Sequence, residues 1–242
     1  MQEKVIAKER EFFIEQQAVA SKTASAIVKD NRIIIKIPFF VSHEEADRLY
    51  ENLKKRILKK LENDPYAFTA QRPKFYDKQQ LEIMGKHFIV EVSERPRKTS
   101  TARLAGEKIE VALAEGIPNE EEDKQISALC MRAISSAILP EIEERVAHIN
   151  NEYIHAQVAK VTIKYMQTRW GSCNPRKHII NLNFILLLAP QQILDYVILH
   201  ELAHMKEANH SAKFWSIVKE AMPSYAEARI WLKKNGSKLS IS

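Results

Sequence analysis

Two rhythms of apolar and polar positions run along this chain. In "SAIVKDNRIIIKIPFF" two runs rich in β-forming residues flank Asp30-Asn31, which predicts a hairpin with Pro38 closing its second strand. "LEIMGKHFIVEVSE" and "TARLAGEKIEVALAEG" predict two more strand pairs, turning near Gly85 and Gly106. The helical rhythm starts after Ser42, which with Glu45 forms a capping-box pattern ahead of "EEADRLYENLKKRILKKL". It returns from Lys124 to about Asn150, where Pro140 should kink the helix, and again in "LAPQQILDYVILHELAHMKEA", opened by Pro190. "AKVTIKYM" and "HIINLNFILL" read as strands flanking "QTRWGSCNPRK", and residues 64–80 as a loop.

Residues 2–18 read as a polar helix, so 1–22 are expected to be a helical N-terminal extension to a domain spanning 23–242. Within that domain 23–115 are β-rich and 116–242 helical. No stretch recurs as an evident internal repeat. Strands and helices without regular βαβ alternation predict an α+β architecture.

Composition narrows the classes. No apolar run reaches the roughly 18 residues that span a bilayer, and the N-terminus is charged where a signal peptide would be apolar. Two cysteines, Cys130 and Cys173, build no disulfide framework, so the expected location is the cytoplasm, with Cys130 a core residue. A net charge of +6 and a pI near 9.1 are compatible with nucleic-acid contact without demanding it. The five glycines stand singly, which excludes a glycine-rich phosphate loop. The lysines and arginine at 54–56 and 59–60 read as a solvated helix face.

The chemistry is concentrated in "LHELAHMKEANHSAKFW", where His200, Glu201, His204 and His210 fall within one short run. On a helix, residues four apart lie about 40° apart and one turn along, so the imidazoles of His200 and His204 can reach one ion. Glu201 falls on the adjoining side, beside any water that ion holds. That is the content of H-E-x-x-H: two ligands and a carboxylate base. An unbroken helix would carry His210 about 9 Å beyond His204. The chain must therefore turn between Met205 and Asn209, with Asn209 a residue that tolerates the left-handed conformation and Ser211 capping the next helix. Three imidazoles and an open fourth position favour zinc.

Cys173 is a rival third ligand, because "GSC" ahead of H-E-x-x-H resembles peptide deformylases and would make the protein a zinc amidase with a small substrate. With three histidines the expected reaction is peptide hydrolysis, Glu201 taking a proton from the zinc-bound water and passing it to the leaving amine. Arg169, His178 and Tyr225 are candidates to hold the oxyanion. A nucleic-acid module with a structural zinc is disfavoured, since such sites are closed by four ligands and need no base.

"RWGSC" at Arg169–Cys173, Leu182–Asn183, "YVILHELAH" at Tyr196–His204, "NHSAKFW" at Asn209–Trp215, Met222–Pro223 and Trp231–Leu232 together resemble the YgjP-like metallopeptidase family. The resemblance is strong over 157–236 and softer over 24–150. It implies a minimal gluzincin-type fold, with the zinc-binding helix on a small antiparallel sheet, zinc at His200, His204 and His210, and Glu201 catalytic. It also implies a peptide or protein substrate templated by an edge strand, "HIINLNFIL" or "KVTIKYM". The family is similar to the SprT/Spartan and Wss-type proteases that act on proteins crosslinked to DNA, which raises a DNA-associated protease as an alternative; no nucleic-acid-binding motif accompanies it. Phe214 and Trp215 are expected to anchor the helix after His210.

Overall fold

Along strand β4 (Arg32–Pro38) Ile33, Ile35 and Ile37 are buried, while Ile34 and Lys36 between them are half-buried, as a strand with one face on a core requires. The computed structural model describes residues 3–7, 10–29, 32–63, 73–167 and 169–241. It divides into two compact units, Met1–Ala70 and Gln71–Ser242.

In the first unit β4 lies between β2 (Arg10–Val19), to which it is parallel, and β3 (Ser25–Lys29), to which it is antiparallel; β1 (Glu3–Ala7) completes the order β1-β2-β4-β3. Helix α1 (His43–Asn63) adds Ile57 and Leu61 to a core of Phe12, Ile14, Val28, Ile33, Ile35 and Ile37. Its start is capped as expected, the Glu45 N–H donating to Ser42 Oγ at 3.2 Å.

Residues 3–7 and 10–19 are therefore strands instead of the helix expected over 2–18, and the described part of 1–22 is not a helical extension; residues 1, 2, 8 and 9 lie outside the described residues. The Glu, Gln, Lys and Ala content of this stretch favours helix locally, but Phe12 and Ile14 are buried two apart and β2 is hydrogen-bonded to β4 from a distant part of the sequence. Nor are all the basic residues of α1 simply solvated, since Lys54 Nζ donates to both Glu3 carboxylate oxygens at 2.7 and 2.8 Å.

The second unit opens with the same plan. β5 (Gln80–Ile83), β6 (Lys86–Arg95), β7 (Thr101–Ala105) and β8 (Lys108–Ala114) form a sheet in the order β5-β6-β8-β7, with β6 and β8 parallel and the outer pairs antiparallel. Helix α2 (Asn119–Ile149) follows. Counting from Arg10 to Lys86, Ser25 to Thr101, Arg32 to Lys108 and His43 to Asn119, the shift is 76 residues each time. A ββββα module thus occurs twice in register, where the sequence suggested no repeat. Phe12, Ile14, Ile33, Ile35 and Ile37 correspond to Phe88, Val90, Ile109, Val111 and Leu113, all buried. Burial pattern survives in the pair where identity mostly does not.

Beyond the second module, β9 (Lys160–Lys164), β10 (Gly171–Asn174) and β11 (Ile179–Asn183) form a small sheet in the order β10-β11-β9. It is mixed rather than antiparallel, because β11 runs parallel to β9 and antiparallel to β10. The apolar run after β11 is a 3-10 turn, Phe184–Leu188, instead of more strand. Asn183 starts that turn, its side chain accepting from the Ile185 N–H and donating to the carbonyls of Met166 and Arg169. Helices α3 (Gln191–Ala203), α4 (Ala212–Ala221) and α5 (Tyr225–Asn235) complete the α+β fold. A two-pronged pair, Arg145 on α2 and the nearly buried Asp195 on α3, ties the scaffold helix to the helix that carries the histidines, with Nε donating at 2.6 Å.

Candidate metal centre

Helix α3 is buried from Ile193 to Leu199 and again from Glu201 to Ala203, with the half-buried His200 between. His200 lies in its last turn and His204 at its cap. The chain then reverses, but not through a left-handed Asn209, whose φ is not positive. The helix end tightens instead, the Met205 and Lys206 N–H groups donating three residues back to Leu202 and Ala203, and the reversal uses no left-handed residue. Ser211 caps α4 as expected, accepting from the Phe214 N–H at 3.2 Å.

The turn returns His210 to its two fellows. The three imidazole centroids are 4.7 to 4.9 Å apart, and one nitrogen from each lies within 4.8 Å of the others. His200 Nε2 and His210 Nε2 are separated by 3.0 Å. Two nitrogens sharing a tetrahedral zinc at 2.0–2.1 Å would stand about 3.3 Å apart, so the spacing is close to that of an ion site. His204 Nδ1 lies 3.1 Å from the Glu207 carbonyl; donating there leaves its Nε2 lone pair free. Burial, followed by His204, His210 and Arg229, pushes His200 down to about 3, and burial lowers His204 as well, so both rings stay neutral and able to bind a cation. The donor set fits a divalent metal.

Phe214, fully buried on α4, sits 4.6 to 4.9 Å from all three imidazoles and sets their spacing. Trp215 stacks on His210 at 5.7 Å and on Tyr225 at 5.4 Å, and the Arg229 guanidinium lies 4.5 Å from its ring centroid. These residues anchor α4, as the sequence suggested, and in doing so pack against the imidazole rings.

Glu201 is 5% exposed. Burial pushes its carboxyl up to about 7, opposed by the charge of Arg169. The side chain lies against β10 at Gly171, where a Cβ would fall 2.5 Å from Oε1, 2.7 Å from Cγ and 2.8 Å from Cδ. Only glycine leaves that space. The sequence signal was a lone glycine in an otherwise strand-like run, but its helical counterpart could not be read. Asn183 was also missed as a positioning residue.

Of the proposed oxyanion holders, Arg169 is on the Glu201 side and Tyr225 on the Trp215 side. His178 lies in the turn at the opposite end of the β10–β11 hairpin from Gly171, about 10 Å along the strands, and is excluded. Cys173 is not brought into the imidazole group. It is near Glu201, and burial with that carboxyl pushes its thiol up to about 12, the reverse of what a thiolate ligand needs. The deformylase-like reading thereby loses its ligand.

The sequence matches the YgjP-like family, described as a metallopeptidase domain, over residues 22–235. Among solved structures it is similar to the metallopeptidase zymogen abylysin of Pyrococcus abyssi, at 25% identity and a TM-score of 0.35, over 38% of this chain and 93% of that one. Similarity to the zymogen jannalysin of Methanocaldococcus jannaschii is at 23% identity and the same TM-score, over 38% and 94% of the two chains. No curated protein matches.

Proposed function

The chain belongs to the YgjP-like metallopeptidase family, and on that premise we propose that it hydrolyses peptide bonds with zinc held by His200, His204 and His210 and with Glu201 as general base. The convergence of the three imidazoles carries this reading. Bound there, zinc would acidify a water and polarise the scissile carbonyl. Glu201, pushed up to about 7, is suited to accept the proton of the attacking water and return it to the leaving amine at neutral pH. Gly171 and Arg169 hold that carboxylate in place and ionisable. The substrate is a peptide or protein in extended form. β11 is paired on both sides and cannot take another strand, which leaves the two edges, β9 and β10; β10 carries Gly171 against Glu201 and is the template, in place of the expected β11 or β9.

Among the described residues no helix is long and apolar enough to cross a membrane. Both cysteines are free, which supports a cytoplasmic setting.

The test is metal content together with peptide cleavage. Glu201→Gln is expected to keep one zinc per chain and lose cleavage by roughly 10²- to 10⁴-fold. His210→Ala is expected to lose the metal. Cleavage undiminished in Glu201→Gln would reject the assignment.

A further inference from the structure

The sheet has a second edge, away from the one assigned to the substrate. β9 is bonded to β11 on one side only, and between its other side and helix α2 runs a trough of about 460 Å³. Its apolar surface comes from Met131 and Leu139 of α2 and Ile163 of β9. Arg132, Lys160 and Lys164 supply three exposed cations, none in an ion pair among the described residues, and no acidic residue lines the trough.

The repeated module shows that this surface is not an ordinary helix flank. With the shift of 76, Ala128, Met131, Ser135 and Ser136 of α2 replace Asn52, Lys55, Lys59 and Lys60 of α1. An asparagine and three lysines give way to short or apolar residues, while arginine is kept at the corresponding positions 56 and 132.

We propose that the trough between α2 and β9 is a docking site for an extended acidic segment of a partner protein, which adds to β9 as a further strand. An edge strand offers a row of unpaired backbone donors and acceptors, which an extended peptide satisfies and a nucleic acid does not. The apolar surface takes alternate side chains, and the three cations take the acidic ones between them. A second copy of this chain would bring the same cations edge to edge, which disfavours self-pairing. The groove does not depend on the assignment of Glu201.

The probe is a fluorescein-labelled peptide of alternating glutamate and valine, bound to the full chain carrying Glu201→Gln and followed by anisotropy. Mass spectrometry checks that the probe stays intact; cleavage would count against the role of Glu201 and not against docking. Ala128→Trp fills the trough without changing charge, and the pair Arg132→Glu with Lys164→Glu inverts its rim. Each is expected to weaken binding at least tenfold, whereas the lysine–valine peptide should not bind. If Ala128→Trp does not fold by circular dichroism, the charge pair alone decides. Binding unaltered by the folded variants overturns the proposal, as does tighter binding of a single-stranded oligonucleotide that the same variants abolish.

Discussion

The two copies of the ββββα module differ most where their helices diverge in chemistry. In the first, Lys54 of α1 reaches Glu3 of β1 at the surface. In the second, the corresponding positions are Cys130 and Gln79, 0% and 5% exposed. Helix α2 also runs ten residues past the equivalent end of α1, from 139 to 149, and there it buries Ile142, Val146 and Ile149 and bonds Arg145 to Asp195. One module is finished by its own apolar core. The other has turned its helix into a shared wall for the sheet and helices that carry the histidines. A fold of the same topology becomes a scaffold for chemistry by changing one helix face.

The sharpest way to break that comparison is to exchange the residues that define it. Cys130→Lys should cost more than about 4 kcal/mol, because an unpaired ammonium cannot be accommodated in a fully buried position. Lys54→Cys in the first copy loses only a half-exposed ion pair and should cost about 1 kcal/mol or less. Equal costs in chemical denaturation would mean the modules are not used differently.

A smaller effect separates the buried carboxyl from the purely apolar core of the first copy. The Glu201 carboxyl is pushed up to about 7 from its ordinary value of 4.5, so its contribution to stability is intact below pH 4.5 and is lost as pH rises through about 7. In chelator-treated protein, Glu201→Gln should be more stable than the parent by roughly 3 kcal/mol above neutrality, the gap closing below pH 4.5. A gap constant with pH would remove the buried charge as its cause.

Gly171→Ala comes next. The added methyl displaces Glu201, and hydrolysis should fall about tenfold or more with metal content unchanged, since small misplacements of a catalytic group are costly. Unaltered cleavage would mean that the carboxylate has room to move. The smallest effect is at the helix starts, where Ser42→Ala should cost about 1 kcal/mol by removing the α1 cap. The second copy has Pro118 at that position and no side-chain cap, so Pro118→Ala should be milder by thermal melting.

Legibility followed distance along the chain. The strand pairs at 25–38 and 80–114 could be read because β-rich runs and, in the second stretch, turn glycines are local signals; Gly85 and Gly106 do hold φ of +73° and +63°. The first two strands could not, because residues of high helix propensity were overruled by pairing with β4. The repeat escaped for a related reason: at a shift of 76, Phe12 and Phe88 or Ile33 and Ile109 are identical, but most partners match only in being buried.

By itself the sequence determined the helix that presents His200 and His204, the need for a reversal before His210, the cap at Ser211 and the α+β class, all consequences of spacing and propensity over a few turns. Only the tertiary structure decided that Glu201 lies against Gly171, that Phe214 spaces the three rings, that Cys173 stays apart from them, and that β10 and β9 rather than β11 are the open edges. Those outcomes depend on which surfaces pack together, and packing is set by the summed burial of residues far apart in the chain, a quantity that no local pattern records.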